Sequence, residues 1–328
     1  MKKITKGEIM NNLKKVGLTA LAGSLAAISA NAAELSVSGT TALTYTSEDS
    51  TEVTGNPFGM KTNIGFAASG EVNGYDVSYF VTTVDQFGGM TSARLSVDLG
   101  DMGTLAFDQG SGSGLATIDD KTPTAAEEIW DGLDAKSHGG LVGTAGSSGV
   151  FNYVKSFAGM KFNGAWRKGG AGSQADGASS GSGEGAYDFA LTGNLGDSLA
   201  LGGGWGKETG ADNNDHSTVF ANYTLGMATI GYQYSHIQNN ALAGVDESTD
   251  AMGIAVNLNE NLSISVGKRD VEYKKTSALS VTEAGEGVAL AYTMGSVKVT
   301  GNRNEVKGNQ GVSGASDSMT EVAVSFAF

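Results

Sequence analysis

From residue 35 to the end of the chain, apolar and polar residues change places at nearly every step. In "LSVSGTTALTY", Leu35, Val37, Leu43 and Tyr45 fall on one side of an extended chain, and Ser36, Ser38, Thr40 and Thr44 on the other. In "FGMKTNIGFAASG", Phe58, Met60, Ile64, Phe66 and Ala68 alternate with Lys61, Asn63 and Ser69. A period of two is the mark of a strand whose two faces meet different surroundings. Sixteen segments carry it: 35–46, 58–70, 75–85, 91–99, 103–109, 149–157, 159–168, 186–194, 198–207, 216–225, 228–237, 249–258, 261–272, 286–294, 296–304 and 319–328. No long stretch after residue 32 reads as a helix.

The connections alternate between two kinds. Short ones fall at 71–74, 100–102, 158, 195–197, 226–227, 259–260 and 295–296. Long ones, rich in Gly, Ser, Asn and acid, fall at 47–57, 86–90, 110–148, 169–185, 208–215, 238–248, 273–285 and 305–318. Short turns on one rim and long loops on the other predict an all-β fold: a 16-stranded antiparallel transmembrane β-barrel. An even count puts both strand ends on the short-turn rim, where strand 1 can pair with strand 16 and leave no open edge. The final segment, "EVAVSFAF", fits only such a closure. An apolar strand at a free terminus would otherwise be an edge open to aggregation.

Composition narrows the setting. The first 32 residues read as a secretory leader, with Lys14 and Lys15, an apolar run from Val16 to Ile28, and an Ala30-Asn31-Ala32 cleavage signal. That run is shorter than the roughly 20 apolar residues a spanning helix needs. Translation starts at Met1 or Met10, and the barrel domain is 33–328. The leader holds five lysines and one glutamate, so removing its +4 takes the net charge from −14 to −18. Such acidity argues against a nucleic-acid partner. The absence of cysteine leaves no disulfide to form in an oxidising compartment. A mean hydropathy of −0.12 suits a barrel in which only every second strand residue is apolar.

Aromatic residues on the apolar faces gather at both ends of the strands. Tyr75, Tyr223, Tyr292 and Phe328 lie near the short turns, and Tyr45, Trp166, Trp205 and Tyr234 near the long loops. Interfacial girdles have this form, although aromatics favour strands in any setting. The opposite faces are small and polar, unfit for a dry core and suited to the aqueous lumen that 16 strands can enclose.

"DLGDMGTLAFDQG" (98–110), a long loop, and "VFNYVKSFAGMKFNGAW" (150–166) resemble, in that order, the general porins of Gram-negative bacteria, with alphaproteobacterial members nearest. Family members often carry an arginine-rich stretch where this chain has "AFDQGSGSG". The resemblance implies an outer-membrane location and a third loop folded into the lumen. It also implies a homotrimer joined near the chain ends, with Gly39 and Thr41 as small outward residues. Phe328 would be an assembly signal read by the barrel-assembly machinery, and outer-membrane lipid and lipopolysaccharide the surroundings. On that reading the loop brings Asp119, Asp120, Glu127, Glu128, Asp131 and Asp134 to the constriction, with Lys121, Lys136 and His138 beside them. Lys61, Arg94, Lys161, Arg167, Arg269 and Lys298 would be the pore-wall bases. Acid on the loop and base on the wall would sort ions; the alternative is a solvated loop and scattered lumen charges.

No cofactor is implied. Calcium is an open possibility at the acidic stretches, but "DDKTPTAAEE" and "ADNNDHS" lack the spacing of a defined calcium loop. A G-x-S-x-G match at 177–181 lacks the strand–turn–helix setting of a nucleophile elbow. His138, His216 and His236 have no zinc-ligand spacing. The chain therefore reads as a non-enzymatic channel for passive diffusion of ions and small hydrophilic solutes. The competing readings are a non-channel surface barrel with an adhesive or structural role, an outer-membrane hydrolase, and a secreted β-protein.

Overall fold

The alternation closes on itself in the computed structural model, which describes residues 34–49, 55–83, 89–133, 141–146, 148–169, 185–209, 213–240, 245–274 and 281–328. The expected leader, Asp134, Lys136, His138 and the G-x-S-x-G match lie outside the described residues. Sixteen strands follow in order: β1 Glu34–Glu48, β2 Phe58–Val72, β3 Tyr75–Thr83, β4 Met90–Asp98, β5 Thr104–Gln109, β6 Ser148–Phe157, β7 Met160–Arg167, β8 Gly185–Leu195, β9 Leu199–Thr209, β10 Asp215–Leu225, β11 Ala228–Gln238, β12 Asp246–Asn257, β13 Leu262–Lys274, β14 Glu283–Met294, β15 Val297–Lys307 and β16 Ser316–Ala327. Each pairs antiparallel with its sequence neighbours, and β1 pairs with β16 to close the ring.

Local chemistry sets the short rim. Asn73 and Gly74 both have positive φ (53° and 85°), as do Ala158 and Gly159 (49° and 76°). Two left-handed residues in a row make the tight hairpin turn whose twist matches paired strands. On the other rim β12, β14 and β16 begin at Asp246, Glu283 and Ser316, each three residues earlier than the apolar alternation predicts. There the outward positions turn charged, as in the Lys268–Asp270 pair at 2.6 Å, so a hydrophobic pattern cannot register them.

The outward face is apolar and exposed: Leu43, Phe66, Leu95, Phe189, Leu201, Ile254 and Val288 are among its residues. In water such a belt would be an aggregation surface; in a bilayer it is the lipid contact. Aromatic pairs line its long-loop edge, with Phe107–Phe151 at 5.2 Å, Phe151–Trp166 at 6.0 Å and Tyr187–Trp205 at 5.8 Å between ring centres.

The seam corrects one expectation. Gly39 does not offer a bare strip to a neighbouring chain, because it is buried under the ring of Phe328. A Cβ at Gly39 would stand 2.8 Å from Phe328 Cε2. The backbones close the ladder here, Gly39 N–H to Phe328 O at 2.9 Å and Phe328 N–H to Gly39 O at 3.0 Å.

Candidate functional site: the lumen and its third loop

The described parts of the connection from β5 to β6, 110–133 and 141–146, lie against the inner wall, because the inward residues of the strands satisfy their backbone. Its first limb makes a 3₁₀ turn at Gly114–Ile118. Asp108, fully buried at the end of β5, starts it by accepting from Ser111 N at 2.9 Å and Ser113 Oγ at 2.6 Å. Asp188 then holds both limbs. It sits on β8 between outward Tyr187 and Phe189, so its carboxylate faces in. One oxygen accepts from Leu115 N at 2.9 Å. The other accepts from Thr144 N at 3.1 Å, Ala145 N at 2.8 Å and Thr144 Oγ1 at 3.2 Å.

The crossing between the limbs is pinned in the same manner. Gln233 donates to Ile118 O at 2.8 Å and accepts from Lys121 N at 2.6 Å. Asn222 donates to Lys121 O at 2.7 Å, and Ser265 Oγ accepts from Ala125 N at 2.9 Å. Asn304 donates to Glu128 O at 2.9 Å and to Asp131 O at 2.8 Å. A loop away from regular structure needs such partners for its peptide groups.

Inward glycines give the loop its seat. A Cβ at Gly204 would meet Leu115 Cδ1 at 2.6 Å, one at Gly253 Pro123 O at 2.7 Å, and one at Gly267 or Gly287 Ile129 Cγ2 at 2.8 or 2.9 Å. Real Cβ atoms do not approach so closely, so side chains there would lift the loop off the wall. Leu115, Ile118 and Val142 complete the fit by burying against Ala190 and Phe220.

Five of the six candidate acids fall on the described part of this loop. Asp119, Asp120, Glu127, Glu128 and Asp131 are all half-buried. Carboxylate oxygens of Glu127, Glu128 and Asp131 lie within 4.8 Å of one another, close enough to share a cation. Calcium takes six to eight oxygens, so further ligands would have to come from backbone carbonyls, second carboxylate oxygens or water. Burial pushes the carboxyls of Asp119, Asp120, Glu127 and Asp131 above the ordinary range; the charge of Asp119 adds to this at Asp120, and Asp131 adds to it at Glu127. The segment 124–133 makes hydrogen-bonded turns and no continuous helix, with Asp131 N–H to Glu128 O at 3.1 Å and Leu133 N–H to Trp130 O at 3.2 Å.

The barrel divides the six wall bases by task. Lys61 bridges to Glu321 at 2.9 Å and acts electrostatically on Glu127 and Asp131. Arg94 holds the loop's root through Ser111 Oγ at 3.3 Å and also bonds Asn152. Arg167, buried behind the returning limb, reaches Thr144 O at 3.5 Å. Arg269 is buried with its guanidinium 4.8 Å from the Trp130 ring centre. Lys161 and Lys298 are exposed, each the second residue of its strand at the short-turn rim.

Several residues of the site were not singled out by sequence. Asp188, Gln233, Asn222, Asn304, Glu321 and Trp130 look like ordinary polar-face or loop residues. One signal was present: Gly202, Gly204, Gly206, Gly231, Gly253, Gly267 and Gly287 all occupy inward positions inside strands. A glycine there weakens a strand and often marks a close backbone approach.

No model of a known family matches the sequence, and no curated protein matches it. Solved structures do match in shape. A loop L8 deletion mutant of OmpT, an outer membrane protein of Vibrio cholerae, is 15% identical, with a TM-score of 0.68 over 91% of this chain and 100% of that one. A porin refined at 1.8 Å resolution is 14% identical, with a TM-score of 0.67 over 90% and 100%. An anion-selective porin from Comamonas acidovorans is 12% identical, with a TM-score of 0.64 over 90% and 100%. The likeness spans the whole barrel, and the fold of this chain is that of the porins.

Proposed function

We propose that this chain is an outer-membrane porin, a water-filled channel for passive diffusion of ions and small hydrophilic solutes with a mild preference for cations. The observation that carries the reading is the third loop, seated on the inner wall and presenting five described acids, with Lys121 beside Asp119 and Asp120 and Lys61 acting on Glu127 and Asp131. Acids crowded at a narrow point govern permeation, because at physiological salt charge is screened over about 8 Å. The Comamonas porin is anion-selective; the acids on this loop favour the opposite preference here. The surroundings would be outer-membrane lipid and lipopolysaccharide, reached through the barrel-assembly machinery.

Planar-bilayer recording of the purified protein tests the channel. Steady conductance is expected, and its absence would leave the non-channel surface barrel. Neutralising Asp119, Asp120, Glu127, Glu128 and Asp131 should move the reversal potential toward anions far more than neutralising Asp246 on the rim. Equal, small shifts from both sets would refute the assignment. The pH dependence has a definite sign. Burial raises the loop carboxyls, so they take up protons at a higher pH than free carboxylates, and protonation removes negative charge. Cation preference should therefore fall on mild acidification, before ordinary surface acids titrate.

The assembly is a homotrimer in this proposal, joined by the walls near the chain ends. Thr41 and its neighbours on β1 and β2 remain available for that contact; Gly39 does not. Mass measurement in mild detergent should give three chains, and a monomer alone would refute the assembly.

A further inference from the structure

Arg269 occupies the middle of β13 with its side chain inward, yet only 4% of the residue is exposed. It cannot act on permeating ions as an open pore charge does. A buried guanidinium needs partners, and these come from three parts of the chain. The ring of Trp130, in the third loop, lies under it at 4.8 Å. Glu283 and Glu247, on the neighbouring strands, and Asp120, on the loop, are the acids that act on it. Glu283, 2% exposed, is itself fixed by Tyr273 Oη at 2.8 Å and by Gln310 N at 2.9 Å. Gln310 belongs to the last long loop, in a turn where its φ is 54°. The constriction loop therefore stacks on this arginine through Trp130, and the outer loop reaches it through the charge of Glu283.

Trp130 stands between Glu128 and Asp131, and Asn304 holds the carbonyls of both. Wherever the indole is held, those carboxylates are held. A planar guanidinium stacks on an aromatic face as an ammonium on a flexible stem does not. We propose that Arg269 is the positioning residue of the constriction: it clamps Trp130, and so fixes where the loop acids stand in the lumen, while Glu283 ties the clamp to the outer turn at 309–311. This rests on the porin reading of the loop.

The two possible roles of Arg269 predict opposite signs. As a bare pore charge, its removal in Arg269→Gln would increase cation preference, and Arg269→Lys would preserve the wild-type value. As a clamp, both substitutions let the acidic turn drift. Both should then move the reversal potential toward zero and add noise to the open channel. Trp130→Ala, which leaves the wall intact, should do the same, and combining it with Arg269→Lys should add nothing further. An Arg269→Lys channel with the wild-type reversal potential would overturn the proposal, as would an unchanged Trp130→Ala channel. Tryptic cleavage after Lys121 gives a readout that needs no current. It should be slow in the unmodified protein and faster in Arg269→Lys and Trp130→Ala; equal rates in all three would overturn the clamp. An unmodified protein that passes no current would defeat the porin reading and leave the cleavage test standing.

Discussion

Asp188→Ala should convert a steady channel into a wider and noisier one, with a barrel that melts earlier. The Asp188 carboxylate is the joint acceptor for Leu115 N, Thr144 N, Ala145 N and Thr144 Oγ1, and these come from both limbs of the third loop. Removing it orphans three peptide donors in a nearly closed site, since Asp188 is only 4% exposed. Each donor that stays dry costs about 1–3 kcal/mol. The loop can avoid the cost only by leaving the wall and taking water, which opens the lumen. Asp188→Asn keeps one acceptor oxygen and should fall between wild type and alanine. Single-channel conductance and the temperature at which detergent-resistant barrel disappears are the measurements. Wild-type values of both for Asp188→Ala would mean that Gln233 and Asn304 hold the loop without it.

Phe328→Asp should sharply lower the amount of folded barrel in the membrane. The charge itself is not the main cost, because near the bilayer interface a charged residue on the lipid face costs only about 0–1 kcal/mol. The backbone rung to Gly39 survives the substitution; what is lost is the ring that covers Gly39 and the terminal aromatic offered for recognition during assembly. Gly39→Val separates the two contributions. It leaves the terminal residue intact for recognition during assembly but puts a side chain where the ring lies, so barrel should form and lose heat stability. Normal amounts of heat-stable barrel from Phe328→Asp would sink the prediction.

How far the sequence reaches can be seen in particular residues. Leu35, Val37, Leu43 and Tyr45 announce a strand and its outward face with no knowledge of neighbours, because side-chain direction in an extended chain alternates by covalent geometry. The same period repeated sixteen times, with alternating loop lengths, implies an even barrel and the rim that holds its ends. The candidate site was legible only as an acidic composition within the third loop. Its seat was not, since the contact of Asn304 with Glu128 spans 176 residues of sequence and that of Asp188 with Leu115 spans 73. Inward glycines hinted at a close approach but could not name Pro123 or Ile129 as what approaches. Arg167 and Arg269 carry the same signature as Lys161 and Lys298, a base on the polar face of a strand. Strand periodicity is local and fixes which way each of the four points. Whether such a base meets water, a carbonyl or a tryptophan depends on where the loop comes to rest across the lumen, and that is decided only when the ring closes and its polar wall competes with water for the loop's peptide groups.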